Sequence, residues 1–445
     1  MNYLIAKSKP QISLVDHIND CLNIQTILSS QFDISKISNI PKDFWNLVRV
    51  SMIFHDLGKG HVEFQKLLND QPNDWKSQRH ELFSLPFFLA YGGIADKNIA
   101  GIILLAIAGH HKDFNQLFGR YISKYNDSES KGSYDLNLGN TPKFSFVDEF
   151  KKVKIDAIKD LLKEDYKIEL AAKPEGYLNQ INSLVPQYLT KGISIKDKDY
   201  WFLVLLFGAI KNCDHMGSAG IREIANISLQ DFSFLNVYQS NLINRGLDFY
   251  SHQKSCSVTL GNVILTAPTG SGKTESAFLW LRKHFSENQT GRIFYVLPFT
   301  ASINAMFERL VNVIDREKVG MLHGKLSAYL NNYFENHQYS QNSKKEAINA
   351  LKQKFKYVTT PIKVCTPFQL LKHLFGLKGF EQGLFEWTNG YFIFDEIHAY
   401  DPRTFAQIKV LLEFVTENLN VKIMVMTATL PKFLREERKL SIGHY

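Results

Sequence analysis

Cysteine is scarce in this sequence. The four present, Cys21, Cys213, Cys256 and Cys365, stand far apart with no paired spacing. That pattern excludes a disulfide framework and a zinc knuckle, and leaves each thiol as a small buried hydrophobe. Long apolar runs are missing too. The two most apolar stretches, NIAGIILLAIAG and YWFLVLLFGAIK, fall short of the about 20 residues that a bilayer requires and read as core helices. The amino-terminal MNYLIAKSKPQISL lacks the extended apolar segment and small-residue cleavage site of a secretory signal. These absences predict a cytoplasmic protein with no membrane partner. No internal repeat is visible, which excludes a solenoid or propeller.

What is present is the composition of a folded protein. Of 445 residues 44% are hydrophobic and 22% charged, and a chain of that length exceeds one ordinary core, so two or three domains are expected. The formal charge of +8 favours a polyanionic partner such as nucleic acid, although surface lysine also serves solubility.

Residues 1 to about 215 read as helical, from apolar positions at helical spacing in DHINDCLNIQTILSSQF and FWNLVRVSMIF. SKYNDSESKGSYDLNLGNTPKF reads as a long surface loop, and EFKKVKIDAIKDLLKEDYKIELAAK as a solvated helical face. After about residue 240 the texture changes. Short runs rich in β-branched and aromatic residues, NVILTAP, RIFYVLP, IKVCTP, GYFIFDE and KIMVMTATLP, alternate with helical patterns, the signature of a parallel sheet covered by helices. The polar, basic stretch from His323 to Pro361 reads as a surface excursion between two strands. The expected organisation is multidomain: an all-α domain over residues 1–225, a linker over 226–245, and an α/β P-loop domain with a mostly parallel sheet over 246–445.

The helical half concentrates potential ligands. SMIFHDLGKGH ends an apolar run on His55 and Asp56. Alone the pair reads as a helix end that Gly58 terminates by adopting the left-handed conformation. Yet His17, His80, His110, His111 and Asp214 also stand at or beside the ends of apolar segments. Burying so many ionisable groups unpaired would cost several kcal/mol each, whereas divalent ions satisfy imidazole nitrogens and carboxylate oxygens together. A His-rich set favours Mn, Fe, Co, Ni or Zn over Mg. His61 and His215 fit no ligand position and read as structural.

In the second half, ILTAPTGSGKTESA is a strand, a glycine-rich loop and a helix start. Gly270 and Gly272, with Thr269 and Ser271 between and beside them, let backbone N–H groups approach phosphate. Lys273 supplies positive charge, and the Thr274 hydroxyl can ligate magnesium. Ala267 stands where the strict P-loop pattern has glycine. In YFIFDEIHAYD, Asp395 and Glu396 follow an apolar strand, where a magnesium ligand and a water-orienting carboxylate belong.

The first half resembles the HD superfamily of metal-dependent phosphohydrolases, and more closely the HD nuclease domain of the nuclease-helicase effector of type I CRISPR systems. The resemblance implies that His17, His55, Asp56, His80, His110, His111 and Asp214 hold two divalent ions with Asp56 bridging them. It implies catalytic roles for Asp56 and Lys59, with Lys59 stabilising phosphate charge, while the catalytic role of Glu396 comes from the helicase half. The form A-x-x-G-x-G-K-T and the DEIH box completed by His398 resemble superfamily 2 helicases, with a RecA-like fold. MTATLP then corresponds to a motif in which Thr427, Ala428 and Thr429 couple nucleotide to nucleic acid. LPFTASINAMFERL and VCTPFQLLKHL assign Pro298, Thr300, Arg309 and Thr366 to DNA phosphates, and FYSHQ assigns Gln253 to adenine.

The implied function is metal-dependent cleavage of single-stranded DNA after recruitment by a type I surveillance complex, with ATP and Mg in the helicase lobe. Against this resemblance the chain is expected to carry half a motor, without the second RecA-like domain that holds the arginine finger. ATP hydrolysis by the chain alone is therefore expected to be poor unless another polypeptide supplies that domain. The competing readings are an HD nucleotide phosphohydrolase, a docking or regulatory subunit, and an RNA helicase.

Overall fold

The computed structural model describes residues 4–75, 78–111, 146–178, 180–181, 197–287, 289–335, 341–429 and 442–444. The polar loop expected around residues 123–144 lies outside them. The chain divides into two compact units, one of residues 1–28 and 39–222, the other of residues 29–38 and 223–445.

The first unit is built on helices α1 (Leu14–Gln31), α2 (Phe44–Phe54), α3 (Val62–Leu68), α4 (His80–Tyr91), α5 (Lys97–Gly109), α6 (Ile155–Tyr166) and α7 (Tyr200–Ser218). It is not purely helical: Ile5–Lys7 (β1) and Ile12–Ser13 (β2) pair antiparallel. Both apolar runs are core helices as expected, since every residue from Gly101 to Gly109 is buried, and so is every residue from Trp201 to Asp214. Asp96 starts α5 by accepting the backbone N–H groups of Asn98 (2.8 Å) and Ile99 (3.1 Å), which satisfies donors that the first turn leaves orphaned. Where α6 reads as an evenly charged face, Ile158, Leu161 and Leu162 are buried and anchor it. Among the described residues no helix is long and apolar enough to cross a membrane.

The second unit contains helices α8 (Phe234–Ile243), α9 (Ser251–Cys256), α10 (Lys273–Ser286), α11 (Thr300–Val313), α12 (Leu326–Glu335), α13 (Gln341–Lys356), α14 (Pro367–Leu374), α15 (Phe380–Trp387) and α16 (Pro402–Leu419). Its strands are β3 (Asn262–Thr266), β4 (Ile293–Val296), β5 (Val319–Leu322), β6 (Ile362–Cys365), β7 (Tyr391–Phe394), β8 (Lys422–Thr427) and β9 (Ile442–His444). They form one sheet in the order β5-β6-β4-β7-β8-β3-β9 with every neighbouring pair parallel. Strands β4, β6 and β7 are buried at every residue, as their unbroken apolar sequences require of a sheet covered on both faces.

Five strands fall where their apolar runs predict. Strand β5 escapes that reading because glycine sits inside it, and the structure gives the reason: a Cβ on Gly320 would come within 2.7 Å of the Thr360 hydroxyl. The stretch after His323 is no mere surface excursion. Its two helices bury Leu326, Leu330, Phe334, Ile348 and Phe355 in the sheet's core. Residues 229–243, expected within a linker, form a 3-10 turn and helix α8, with Phe232 and Leu235 in the same core.

Candidate metal centre and nucleotide site

Helix α2 ends at Phe54 and delivers His55 and Asp56 to the interior just before the 3-10 turn Leu57–Gly60. Both are fully buried. Gly58 is not in the left-handed region; what requires glycine is space. A Cβ there would lie 1.8 Å from the carbonyl oxygen of His80. The Gly58 N–H donates to Ser84 Oγ (2.9 Å), whose hydroxyl donates to the His55 carbonyl (2.9 Å). One serine thus ties the His-Asp turn to α4, which starts with His80. Gly58→Ala is expected to push His80 out of place and to lower stability by about 1–3 kcal/mol, the range for overpacking; thermal unfolding and bound-metal content of the variant check it.

All seven sequence-predicted ligands converge. The two carboxylates each straddle two imidazole groups. Asp56 Oδ2 lies 3.0 Å from His17 Nε2 and 3.3 Å from His55 Nε2, while its Oδ1 lies 2.9 Å from His80 Nε2 and 3.5 Å from His110 Nε2. Asp214 turns Oδ1 toward His17 (3.5 Å) and His55 (3.9 Å), and Oδ2 toward His111 Nδ1 (3.7 Å). Lys59 closes the arrangement with Nζ 2.5 Å from Asp56 Oδ2.

Backbone carbonyls set the imidazole tautomers. His55 Nδ1 lies 2.6 Å from the Met52 carbonyl and His110 Nδ1 2.7 Å from that of Ile107. A carbonyl only accepts, so each Nδ1 carries the proton and each Nε2 presents a lone pair inward. That is the support expected beneath metal-ligating histidine. Both Nε2 atoms are enclosed without a hydrogen bond, and such orphaned buried acceptors call for a partner. The donor set, imidazole nitrogen and carboxylate oxygen around split carboxylates, therefore fits a pair of divalent ions. His17, His55 and Asp214 fall in one group of close ligand atoms and Asp56, His80, His110 and His111 in a second.

The site's own charges are consistent with that use. Burial disfavours the charged form of both carboxylates, yet the Lys59 ammonium holds Asp56 well below the usual carboxylate range, and the hydrogen bond with His17 does the same for Asp214. Burial likewise disfavours the His17 imidazolium, but Cys21, Asp214 and Asp56 outweigh it and push His17 up to about 12. Burial and the neighbouring His110 bring His111 down to about 3. The hydrogen bonds to Asp214 and Asp56 favour a proton on His17 that an incoming ion must displace, whereas burial keeps His111 neutral. Metal uptake is expected to tighten with rising pH, about tenfold per unit for each proton displaced; calorimetric titration with Mn at two pH values in buffers of different ionisation enthalpy checks it.

His61 is structural, as expected. Its Nδ1 accepts the Glu63 N–H (3.1 Å) at the start of α3, and its Nε2 lies 3.3 Å from Glu149 Oε2.

In the second unit the P-loop runs from β3 into α10. Gly270 and Gly272 have φ of 80° and 77°, backbone that only glycine adopts without strain. Lys273 Nζ donates to the carbonyls of Ala267 (3.1 Å) and Pro268 (3.4 Å) and stands 3.7 Å from Glu396 Oε1. Asp395 and Glu396 follow β7, separated from the P-loop strand β3 only by β8. Asp395 accepts the Tyr295 hydroxyl (2.7 Å), and burial pushes its carboxyl up. Tyr295 lies in the middle of the apolar run RIFYVLP, where nothing in the sequence marks it. Glu396 has φ of 52°, a strained setting for a non-glycine residue and one that clusters at working sites.

Thr427 and Thr429, expected to couple nucleotide to nucleic acid, hydrogen-bond around the end of β8 beside the P-loop. His398 Nδ1 lies 3.0 Å from Thr427 Oγ1, the Thr427 hydroxyl donates to the Thr429 carbonyl (2.6 Å), and the Ala267 N–H donates to the Thr427 carbonyl (3.1 Å). Ala428 sits between the two threonines. Pro298 and Thr300 follow β4, and Thr366 follows β6, its sheet neighbour. Arg309 stands on α11, the helix that Thr300 begins, and pairs with Glu275 on α10, the helix that follows the P-loop. Gln253, expected at adenine, makes its contacts within the protein here. It is fully buried; its Oε1 accepts the Tyr250 N–H (3.0 Å) and its Nε2 donates to the Gly272 carbonyl (3.3 Å), so its amide is engaged in holding the P-loop.

Residues 250–436 match the DEAD/DEAH box helicase family, a stretch that lies within the sheet-containing unit. Over 412 residues the chain is 26% identical to a candidate CRISPR-associated nuclease/helicase Cas3 of Methanocaldococcus jannaschii, covering 85% of this chain and 53% of that protein. Over 437 residues it is 26% identical to the CRISPR-associated nuclease/helicase Cas3 of Methanothermobacter thermautotrophicus, covering 89% and 49%. The chain thus spans about half the length of the curated relatives it matches. Among solved structures, T. fusca Cas3 with AMPPNP aligns over 97% of this chain and 51% of that one, with a TM-score of 0.54 and 17% identity; at that identity the likeness is one of fold.

Proposed function

We propose that this chain is a metal-dependent DNA nuclease of HD type joined to an ATP-binding helicase lobe, acting on single-stranded foreign DNA after recruitment by a type I CRISPR surveillance complex. The observation that carries the nuclease reading is the divided Asp56 carboxylate, each oxygen facing a different imidazole group. The P-loop, the Asp395–Glu396 pair and the names of the relatives support the rest.

His17, His55 and Asp214 would hold one divalent ion, His80, His110 and His111 the other, with Asp56 shared. Bound there, such ions supply an activated water and charge stabilisation for the attacking and leaving oxygens of a phosphodiester. The chain's own groups do the rest. Lys59 brings a fixed positive charge beside Asp56, placed to neutralise a scissile phosphate. The carbonyls of Met52 and Ile107 keep the His55 and His110 rings from rotating. In the helicase lobe, Thr274 and Asp395 would hold magnesium, Lys273 would meet the nucleotide phosphates, and Glu396 would orient water. The His398–Thr427 contact would pass nucleotide state to Pro298, Thr300 and Thr366, the proposed DNA contacts.

Incubation of the protein with Mn and either single-stranded DNA, deoxynucleoside triphosphates or cyclic nucleotides tests this reading. Cleavage of the polynucleotide with the mononucleotides left intact is the expected outcome. Hydrolysis of the mononucleotides alone would transfer the site to the nucleotide phosphohydrolases.

A further inference from the structure

Cys21 is read from the sequence as a small buried hydrophobe, one of four unconnected thiols. The fold puts it at the metal centre. It lies one helical turn after His17 on α1, so both side chains project from the same face. It is fully buried, with Sγ 3.8 Å from His17 Nε2 and 3.9 Å from its Nδ1. Ligand atoms of His17, Cys21, His55 and Asp214 all lie within 4.8 Å of one another.

Two features show that the thiol is placed there rather than merely tolerated. Helix α7, which carries Asp214, reaches Cys21 at Gly217, where a Cβ would sit 2.8 Å from Sγ and 3.0 Å from the Cys21 nitrogen. Glycine at that crossing lets α7 press onto α1 and brings Asp214 and the thiol into one group. Within the same group, His55 Nε2 is fully buried with no hydrogen bond and its lone pair turned inward, an independent sign that this pocket expects a ligand.

We propose that Cys21 is a further protein ligand, beside the shared Asp56, of the ion held by His17, His55 and Asp214, binding it as thiolate. This rests on the reading of the site as a divalent-metal centre and deepens it. The two positions then differ in chemistry. One is a sulfur-containing set suited to the softer ions Zn, Co or Fe; the other, of Asp56, His80, His110 and His111, has nitrogen and oxygen only. The thiol proton leaves for solvent as the ion binds.

Anaerobic titration of the whole chain with Co(II), followed by absorption, tests it. Wild type is expected to develop visible ligand-field bands from bound cobalt together with a near-ultraviolet thiolate-to-cobalt charge-transfer band. Cys21→Ser and Cys21→Ala should lose the charge-transfer band and keep visible bands from the remaining donors. Cys213→Ser, which removes the buried thiol beside Asp214, should keep both. One of the two cobalt affinities should fall by about tenfold or more in Cys21→Ser, with the far-ultraviolet circular dichroism of wild type retained. Visible bands without the charge-transfer band in wild type, or a charge-transfer band that survives in both Cys21 variants, overturns the Cys21 assignment while leaving the metal centre standing. Absence of any cobalt spectrum in wild type overturns the metal centre and the ligand with it.

Discussion

Asp56→Asn should lose bound metal and cut the rate of single-stranded DNA cleavage by roughly a thousandfold, on the several kcal/mol that paired ions contribute to such a transition state. Asparagine keeps the shape of the side chain but offers an oxygen at one end and an NH2 at the other. Because the carboxylate oxygens face different imidazole groups, one group necessarily meets a donor in place of an acceptor. The change also leaves Lys59, buried with Nζ beside Asp56 Oδ2, without its counter-charge. An uncompensated buried cation costs about 3–5 kcal/mol, so a lower unfolding temperature should accompany the loss of metal. Elemental analysis of the purified variant and a gel-based cleavage assay read the two effects separately. Wild-type cleavage by Asp56→Asn would end the case for a bridged centre.

Lys273→Ala should weaken nucleotide binding by roughly a hundredfold, since charge-assisted hydrogen bonds to phosphate contribute about 1.5–3 kcal/mol each. The lysine is already at the site, donating to two P-loop carbonyls and close to Glu396. A phosphate chain entering the loop replaces those carbonyls as its acceptors. Titration with a fluorescent ATP analogue in the presence of magnesium measures the change. Undiminished affinity would mean that nucleotide binds elsewhere.

Local pattern carried much of the architecture. Five of the strands could be read because a strand buried on both faces must be an unbroken apolar run, and GSGKT and DEIH could be placed because phosphate chemistry demands those residues in sequence. Strand β5 was hidden by Gly320, which packs against Thr360 and contributes no apolar signal. The amphipathic helices α12 and α13 were hidden by their polar outer faces.

The seven residues that converge were legible because each is a costly group placed at or beside an apolar helix, a conflict visible in one dimension. Three features were not legible. Gly58 reads as a chain terminator, yet it is glycine because the His80 carbonyl passes over it. Gln253 reads as a nucleotide contact, and nothing in the sequence shows that its amide holds the Gly272 carbonyl. Cys21 reads as filler, although its four-residue spacing from His17 was a usable signal.

The sequence by itself determined which chemistries are available, because charge, imidazole, thiol and glycine are properties of residues and survive any fold. Tertiary structure alone decided which of them meet. Helices α1, α2, α4, α5 and α7 bring residues as distant as His17 and Asp214 within 3.5 Å of one another. Contacts across nearly two hundred residues depend on how helices pack at a glycine or a serine, and no local pattern encodes that distance.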